Sequence, residues 1–155
     1  MPHRLLLIED DEAFLRRLQA NLRAAGYDVT AAADGKAALE ALGRAFFDLV
    51  VTDIRLPDIS GLDILSRIKQ GRDALDPTLP VVVLTSVRDV ETAVAAMRQG
   101  AADYLTKESE KQEIVMRIER VLEQSALLNE NRNLHDRLER EGEFGELVGE
   151  SAAMK

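Results

Sequence analysis

Cysteine is absent from the chain, which excludes disulfides and thiolate metal sites and fits a reducing cytoplasm. No apolar run approaches the roughly 18 residues a membrane-spanning helix needs. The opening Met1-Pro2-His3-Arg4 lacks the apolar core of a signal peptide, so no secretion is expected. Basic residues are in deficit, 20 Lys and Arg against 28 Asp and Glu, for a formal net charge of −8. That balance argues against this chain gripping DNA or RNA through phosphates. No GxxxxGK phosphate loop occurs, and there is no internal repeat or low-complexity tract. The two histidines, His3 and His135, fall near a terminus and on a late helical stretch, where both are expected to face solvent.

At 155 residues, 46% of them hydrophobic, the chain suffices for one domain with a proper core and is short for two. Three apolar runs, Leu5 to Ile8, Leu49 to Val51 and Val81 to Leu84, do not alternate with polar residues. Each is expected to be a strand buried on both faces, as in a parallel sheet. Tyr27 to Ala31 and Ala102 to Leu105 read as weaker, peripheral strands. Helical periodicity fills the intervals. Phe14, Leu15, Leu18, Leu22 and Ala25 form one stripe before Gly26. Leu39 and Leu42 mark a second helix, with Asp34 as its cap; Leu62, Leu65 and Ile68 mark a third after Ser60. Val90, Val94 and Met97 mark a fourth ended by Gly100, and a longer fifth begins near Ser109. Arg72 to Pro80 is expected as a loop. Five strand–helix units predict an α/β, flavodoxin-like (βα)5 doubly wound parallel sheet of order 2-1-3-4-5 with an extended C-terminal helix.

In such sheets ligands bind beyond the carboxyl ends of the strands, at the switch point between the first and third. There the chain places Glu9-Asp10-Asp11-Glu12, Thr52-Asp53, Thr85-Ser86 and Thr106-Lys107. Carboxylates, a hydroxyl and an ammonium converging from four strands suit phosphoryl transfer to a carboxylate. Asp53 is then the nucleophile. Asp10 and Asp11 hold Mg2+, which favours a few carboxylates together with water and phosphate oxygens. Lys107 pairs with Asp53 and then with the phosphoryl oxygens, to which Thr85 donates a hydrogen bond. Singly, each residue has an ordinary role as a cap, a strand-end threonine or a surface lysine; the joint placement carries the reading.

From Arg4 to about Gln124 the chain resembles the response-regulator receiver family. The matching motifs are Ile8-Glu9-Asp10-Asp11, Val51-Thr52-Asp53, Leu56-Pro57 through Gly61-Leu62, Leu84-Thr85-Ser86 and Ala101 through Lys107. The resemblance implies a sensor histidine kinase as phosphodonor, phosphorylation of Asp53, and Mg2+ held by Asp10, Asp11, Asp53 and the Arg55 backbone carbonyl. It implies a switch in which Thr85 moves with Tyr104, and an output face on the fourth helix, fifth strand and fifth helix. It implies no enzyme beyond the domain's own phosphorylation and dephosphorylation. One departure is Glu108, where the family carries proline after a cis peptide. Non-proline cis bonds cost about 2.5–4 kcal/mol, which puts the usual geometry in question. Ser109 and Gln112 form a capping-box pattern that can start the fifth helix without it.

Three segments follow: a receiver over 1–124, a helical, coiled-coil-like linker over 125–141, and the start of a truncated AAA+ domain over 142–155. In the linker, Leu127, Asn131, Leu134 and Leu138 share one stripe, which suits either a homodimer seam with Asn131 at a core position or packing on another domain. The tail Phe144 to Met154 resembles the opening of the ATPase domain of NtrC-type activators of sigma-54 RNA polymerase, with Ala152 where proline is common. Polymerase and DNA would then be reached only through domains outside this chain. A stand-alone receiver, or one attached to another output domain, is the alternative. A haloacid-dehalogenase-type phosphatase would want Asp-x-Asp after the first strand, and a flavodoxin would want a Ser/Thr/Gly phosphate loop there.

Overall fold

The computed structural model describes residues 3–86 and 90–127. In chain order the elements are β1 (Arg4–Ile8), α1 (Glu12–Ala24), β2 (Asp28–Ala32), α2 (Gly35–Arg44), β3 (Leu49–Asp53), α3 (Gly61–Lys69), β4 (Val81–Thr85), α4 (Val90–Arg98) and β5 (Asp103–Thr106). A fifth helix, α5, covers residues 111–127. The strands form one parallel sheet of order β2-β1-β3-β4-β5. Class, strand order and edge strands are those the sequence predicts. The chain divides into two units, Met1–Leu122 and Glu123–Lys155. Among the described residues no helix is long and apolar enough to cross a membrane.

The unalternated runs are explained by burial on both faces. Leu5, Leu6, Leu7, Ile8, Leu49, Val50, Val51 and Val81 through Leu84 are all fully buried. Because side chains alternate along a strand, Leu5, Leu7, Leu49, Val51, Val82 and Leu84 meet α1 and α5. Leu6, Ile8, Val50, Val81 and Val83 meet the cluster built on α2, α3 and α4. The expected stops and caps are in place. Gly26 and Gly100 take φ of +99° and +107°, which an L side chain rarely adopts. Asp34 accepts from the Ala37 N–H at 2.8 Å, and Ser60 from the Leu62 N–H at 3.0 Å.

On α4 the residues turned to the core are Ala93 and Ala96, both fully buried, whereas Val94 and Met97 are 44% and 41% exposed. The small alanine side chains let α4 lie close to the sheet and turn its larger apolar residues outward; Val90 is described in backbone only. In α2, Ala38 is fully buried, while Leu39 and Leu42 are half-buried. The capping box at Ser109 and Gln112 is not formed. Instead α5 starts at 111, the Glu110 carbonyl accepts from Glu113 and Ile114, and the Ser109 hydroxyl shares a hydrogen bond with Thr106 at 3.0 Å. Of the linker stripe, Leu127 is exposed; Asn131, Leu134 and Leu138, His135 and the tail 142–155 lie outside the described residues.

The inward face of α4 can be tested by stability. Ala96→Leu overpacks the contact and is expected to cost about 1–3 kcal/mol in urea unfolding, whereas Val94→Ser is expected to change stability by no more than about 0.5 kcal/mol. Equal effects would contradict the assignment of faces.

Candidate functional site

At the carboxyl ends of β1 and β3 the backbone is pinned before any side chain acts. The Glu9 N–H donates to Ala32 O at 3.0 Å, Ile54 N–H to Leu84 O at 3.2 Å, and Lys107 N–H to Thr85 O at 2.9 Å. These bonds place four strand ends in one crevice. Gly61 opens α3 directly beneath, where an added Cβ would collide with the Asp53 carbonyl oxygen. Glycine is required there by close approach.

The crevice holds Glu9, Asp10, Asp53, Thr85 and Lys107. Carboxylate oxygens of Glu9, Asp10 and Asp53 all lie within 4.8 Å of one another, a set able to hold a metal ion. Lys107 Nζ donates to Asp53 Oδ2 at 2.9 Å and to Glu9 Oε2 at 3.0 Å. Glu9 Oε1 lies 2.8 Å from the same ammonium but makes no hydrogen bond. Glu9 is fully buried, Asp53 is 5% exposed and Thr85 2%. One ammonium against three carboxylates leaves the crevice negative. The aromatic ring of Phe14 supports that ammonium from below, its centroid 5.3 Å from Nζ.

Burial pushes the Glu9 carboxyl up to about 7. The Lys107 hydrogen bond and the Asp11 N–H pull against this rise, and the neighbouring Asp53 charge adds to it. For Lys107, burial works against the charge, but hydrogen bonds to Glu9 and Asp53 outweigh it and hold the ammonium above its ordinary range.

Asp11 is not in the cluster. Its carboxylate caps α1, accepting from the Ala13 and Phe14 N–H groups at 3.1 and 3.3 Å. The acidic pair facing Asp53 is therefore Glu9 and Asp10, one residue earlier than the sequence reading placed it. The Arg55 N–H lies 3.4 Å from Asp53 Oδ1. The Thr85 hydroxyl donates to the Ser86 carbonyl at 3.3 Å, and the Tyr104 side chain is 40% exposed.

A family model described as the response regulator receiver domain matches residues 5–119. The chain belongs to the response-regulator receiver family. ZraR of Escherichia coli O157:H7, a transcriptional regulatory protein, is 37% identical over 125 residues, which make up 81% of this chain and 27% of ZraR. The C4-dicarboxylate transport transcriptional regulatory protein DctD of Rhizobium meliloti (strain 1021) is 33% identical over 97% of this chain and 32% of its own length. The chain thus spans about a third or less of these curated relatives. Among solved structures, a putative response regulator from Chloroflexus aurantiacus J-10-fl superimposes with a TM-score of 0.73 at 37% identity, covering 79% of this chain and 98% of that one. NtrX from Brucella abortus gives 0.80 at 32% identity, covering 86% of this chain and 30% of NtrX.

Within this receiver the Lys107–Glu108 peptide is trans, the form a non-proline residue strongly prefers. Glu9 is the residue that sequence reasoning passed over. Its signal was present: β1 ends at Ile8, and an Asp directly ahead of a helical stripe starting at Phe14 is a preferred N-cap, which removes Asp11 from the crevice.

The raised Glu9 carboxyl has a measurable consequence. Folded, it keeps its proton up to about pH 7, whereas unfolded it releases it near 4.5. Between those values the folded state binds more protons, so this group lowers stability as pH rises through the window and adds no further change above it. The loss is at most about 3 kcal/mol. Urea unfolding of the metal-free protein should show this decline between about pH 5 and 7, and Glu9→Gln should lack it. Identical slopes in both proteins would refute the assignment.

Proposed function

We propose that this receiver takes a phosphoryl group from a phosphohistidine of a sensor kinase onto Asp53 and releases it again by hydrolysis. The observation that carries the reading is the Lys107 ammonium held between buried Asp53 and Glu9 with Asp10 alongside. In transfer, an Asp53 carboxylate oxygen bonds to phosphorus as the phosphorus–nitrogen bond to histidine breaks, and the freed imidazole nitrogen keeps the electron pair. In release, water attacks phosphorus and the Asp53 carboxylate leaves. Strand β3 fixes the nucleophile, so little orientational freedom is left to lose. Lys107 exchanges part of its contact with Asp53 for the arriving phosphoryl oxygens, and Thr85 at the end of β4 donates to one of them.

The donor set fits a hard divalent cation. It offers only oxygen ligands, and carboxylate oxygens of Glu9, Asp10 and Asp53 lie within 4.8 Å of one another. Glu9, Asp10, Asp53 and the Arg55 carbonyl would hold Mg2+, which favours a few carboxylates together with water. When bound, the ion supplies positive charge against which phosphoryl oxygens can enter an otherwise repulsive crevice. This assignment replaces Asp11 by Glu9 in the acidic pair. The chain then catalyses only its own modification and is not an enzyme for a separate substrate.

Beyond the receiver, the reading is an NtrC-type activator in which 125–141 links to an AAA+ domain beginning at 142–155. Support comes from relatives of about three times this chain's length that are named transcriptional regulatory proteins. Sigma-54 polymerase and DNA would be contacted by that remainder, a homodimer would form through the linker with help from the receiver, and the protein would act in the cytoplasm. The coiled-coil-like linker favours relief of inhibition as the effect of phosphorylation.

Asp53→Asn should abolish labelling by a small phosphodonor with Mg2+ present; undiminished labelling would overturn the assignment. Asp10→Ala should weaken Mg2+ binding in calorimetric titration. Asp11→Ala should leave Mg2+ affinity intact while costing about 1 kcal/mol of stability through loss of the α1 cap. The reverse pattern would return Asp11 to the metal set.

A further inference from the structure

The loop between β3 and α3, residues 54–60, passes over the candidate phosphoacceptor and is tied down from two sides. On the inner side, the Ile54 carbonyl accepts from the Gly61 N–H at 2.8 Å and the Ser60 hydroxyl at 3.4 Å. On the outer side, the loop reaches another helix altogether. Asp58 Oδ1 accepts from the Gly35 N–H at 2.8 Å, Oδ2 from the Lys36 N–H at 2.9 Å, and Oδ1 also from its neighbour Ile59 N–H at 2.8 Å. Gly35 and Lys36 are the first two residues of α2, whose own cap, Asp34, serves the third N–H. The first three N–H groups of α2 thus meet two carboxylates, one local and one 22 residues away.

Such a clasp is strong for a surface feature. Unpaired N–H groups and the positive end of the helix dipole both favour an anion at that point, and hydrogen bonds to a charged acceptor are the stronger kind. The Gly35 N–H, then the Lys36 and Ile59 N–H groups, draw the Asp58 carboxyl below its ordinary range. Sterics at Gly35 close the contact: an added Cβ would collide with the Ile59 side chain and come within 3.1 Å of Asp58 Oδ1.

Between the inner and outer ties lie Arg55, Leu56 and Pro57. Arg55 carries the N–H beside Asp53 Oδ1 and the carbonyl proposed above to face the cation. We infer that Asp58 is a positioning residue for phosphoryl transfer, using the N-terminus of α2 as a fixed anchor that sets where the Arg55 backbone stands relative to Asp53. The inference rests on the proposed role of Asp53 but has a readout that does not depend on it. It also makes α2 part of the phosphoacceptor's support, although no α2 residue lies in the cluster.

The test uses the full chain. Hydrogen exchange in the metal-free protein is followed at Gly35, Lys36 and Arg55, with β-sheet amides as controls. Asp58→Ala should raise exchange at all three by about tenfold and leave the sheet unchanged. With a small phosphodonor, Asp58→Ala should raise the Mg2+ concentration for half-maximal labelling of Asp53 several-fold, and Asp58→Asn, whose amide oxygen still accepts, should restore most of the loss. Gly35→Ala should disturb Arg55 from the opposite side. Faster exchange at Gly35 and Lys36 with Arg55 exchange and Mg2+ dependence unchanged would reduce Asp58 to a cap and overturn the inference. Failure of the unaltered protein to be labelled would refute the role of Asp53 instead, and exchange at Arg55 would still decide the role of Asp58.

Discussion

The Lys107 ammonium, caught between two carboxylates that the sheet forces together, is the interaction on which the rest depends. Parallel strands β1 and β3 are neighbours; β3 ends on Asp53 and β1 runs directly into Glu9. Desolvated like charges at such a distance repel strongly, and the fold tolerates them because a cation arrives from the far side of β4. Its arrival depends on register. β5 pairs with β4 so that the Lys107 N–H meets the Thr85 carbonyl, which aims the following side chain back across two strands. Phe14, at the start of α1, then supports the ammonium with its ring. Four elements therefore meet on one charge.

That neutralisation is incomplete, and the shortfall has chemical value. On the proposed function, a crevice with surplus negative charge would repel phosphate until a divalent ion entered, so modification would be conditional on metal and donor together. Glu9 marks the balance point, its carboxyl raised by burial to about 7. A group poised there responds to small changes in the charge around it.

Most of the architecture was legible in the sequence because it follows from hydrophobic period. The runs at Leu5, Leu49 and Val81 do not alternate, and only a sheet covered on both faces buries them. Asp34, Ser60, Gly26 and Gly100 announce helix ends through local chemistry. Among site residues, Asp53 and Lys107 were legible as polar residues after strands, and the structure brings them into contact. One site residue was misplaced. Assigning Glu9 rather than Asp11 to the crevice required knowing the residue at which β1 stops and α1 starts, and adjacent acids satisfy a sequence pattern equally well in either frame. On α4 the residues that face the core are Ala93 and Ala96, which are too small to stand out in a hydrophobic pattern. The Asp58 clasp is invisible to local reasoning, since its partners are more than 20 residues away.

The alanine seam under α4 has a mechanical side. Helix α3 drives Ile64, Leu65 and Ile68 into the core, so lifting it would open cavities lined by whole side chains. The described inward contacts of α4 are the methyl groups of Ala93 and Ala96. A smooth seam of that kind has few knobs to unlock, and sliding along it leaves little void behind. Val94 and Met97 ride on the opposite face of the same rod. A displacement of α4 would therefore carry a ready-made greasy surface to a new place at small elastic expense, with the sheet beneath left standing.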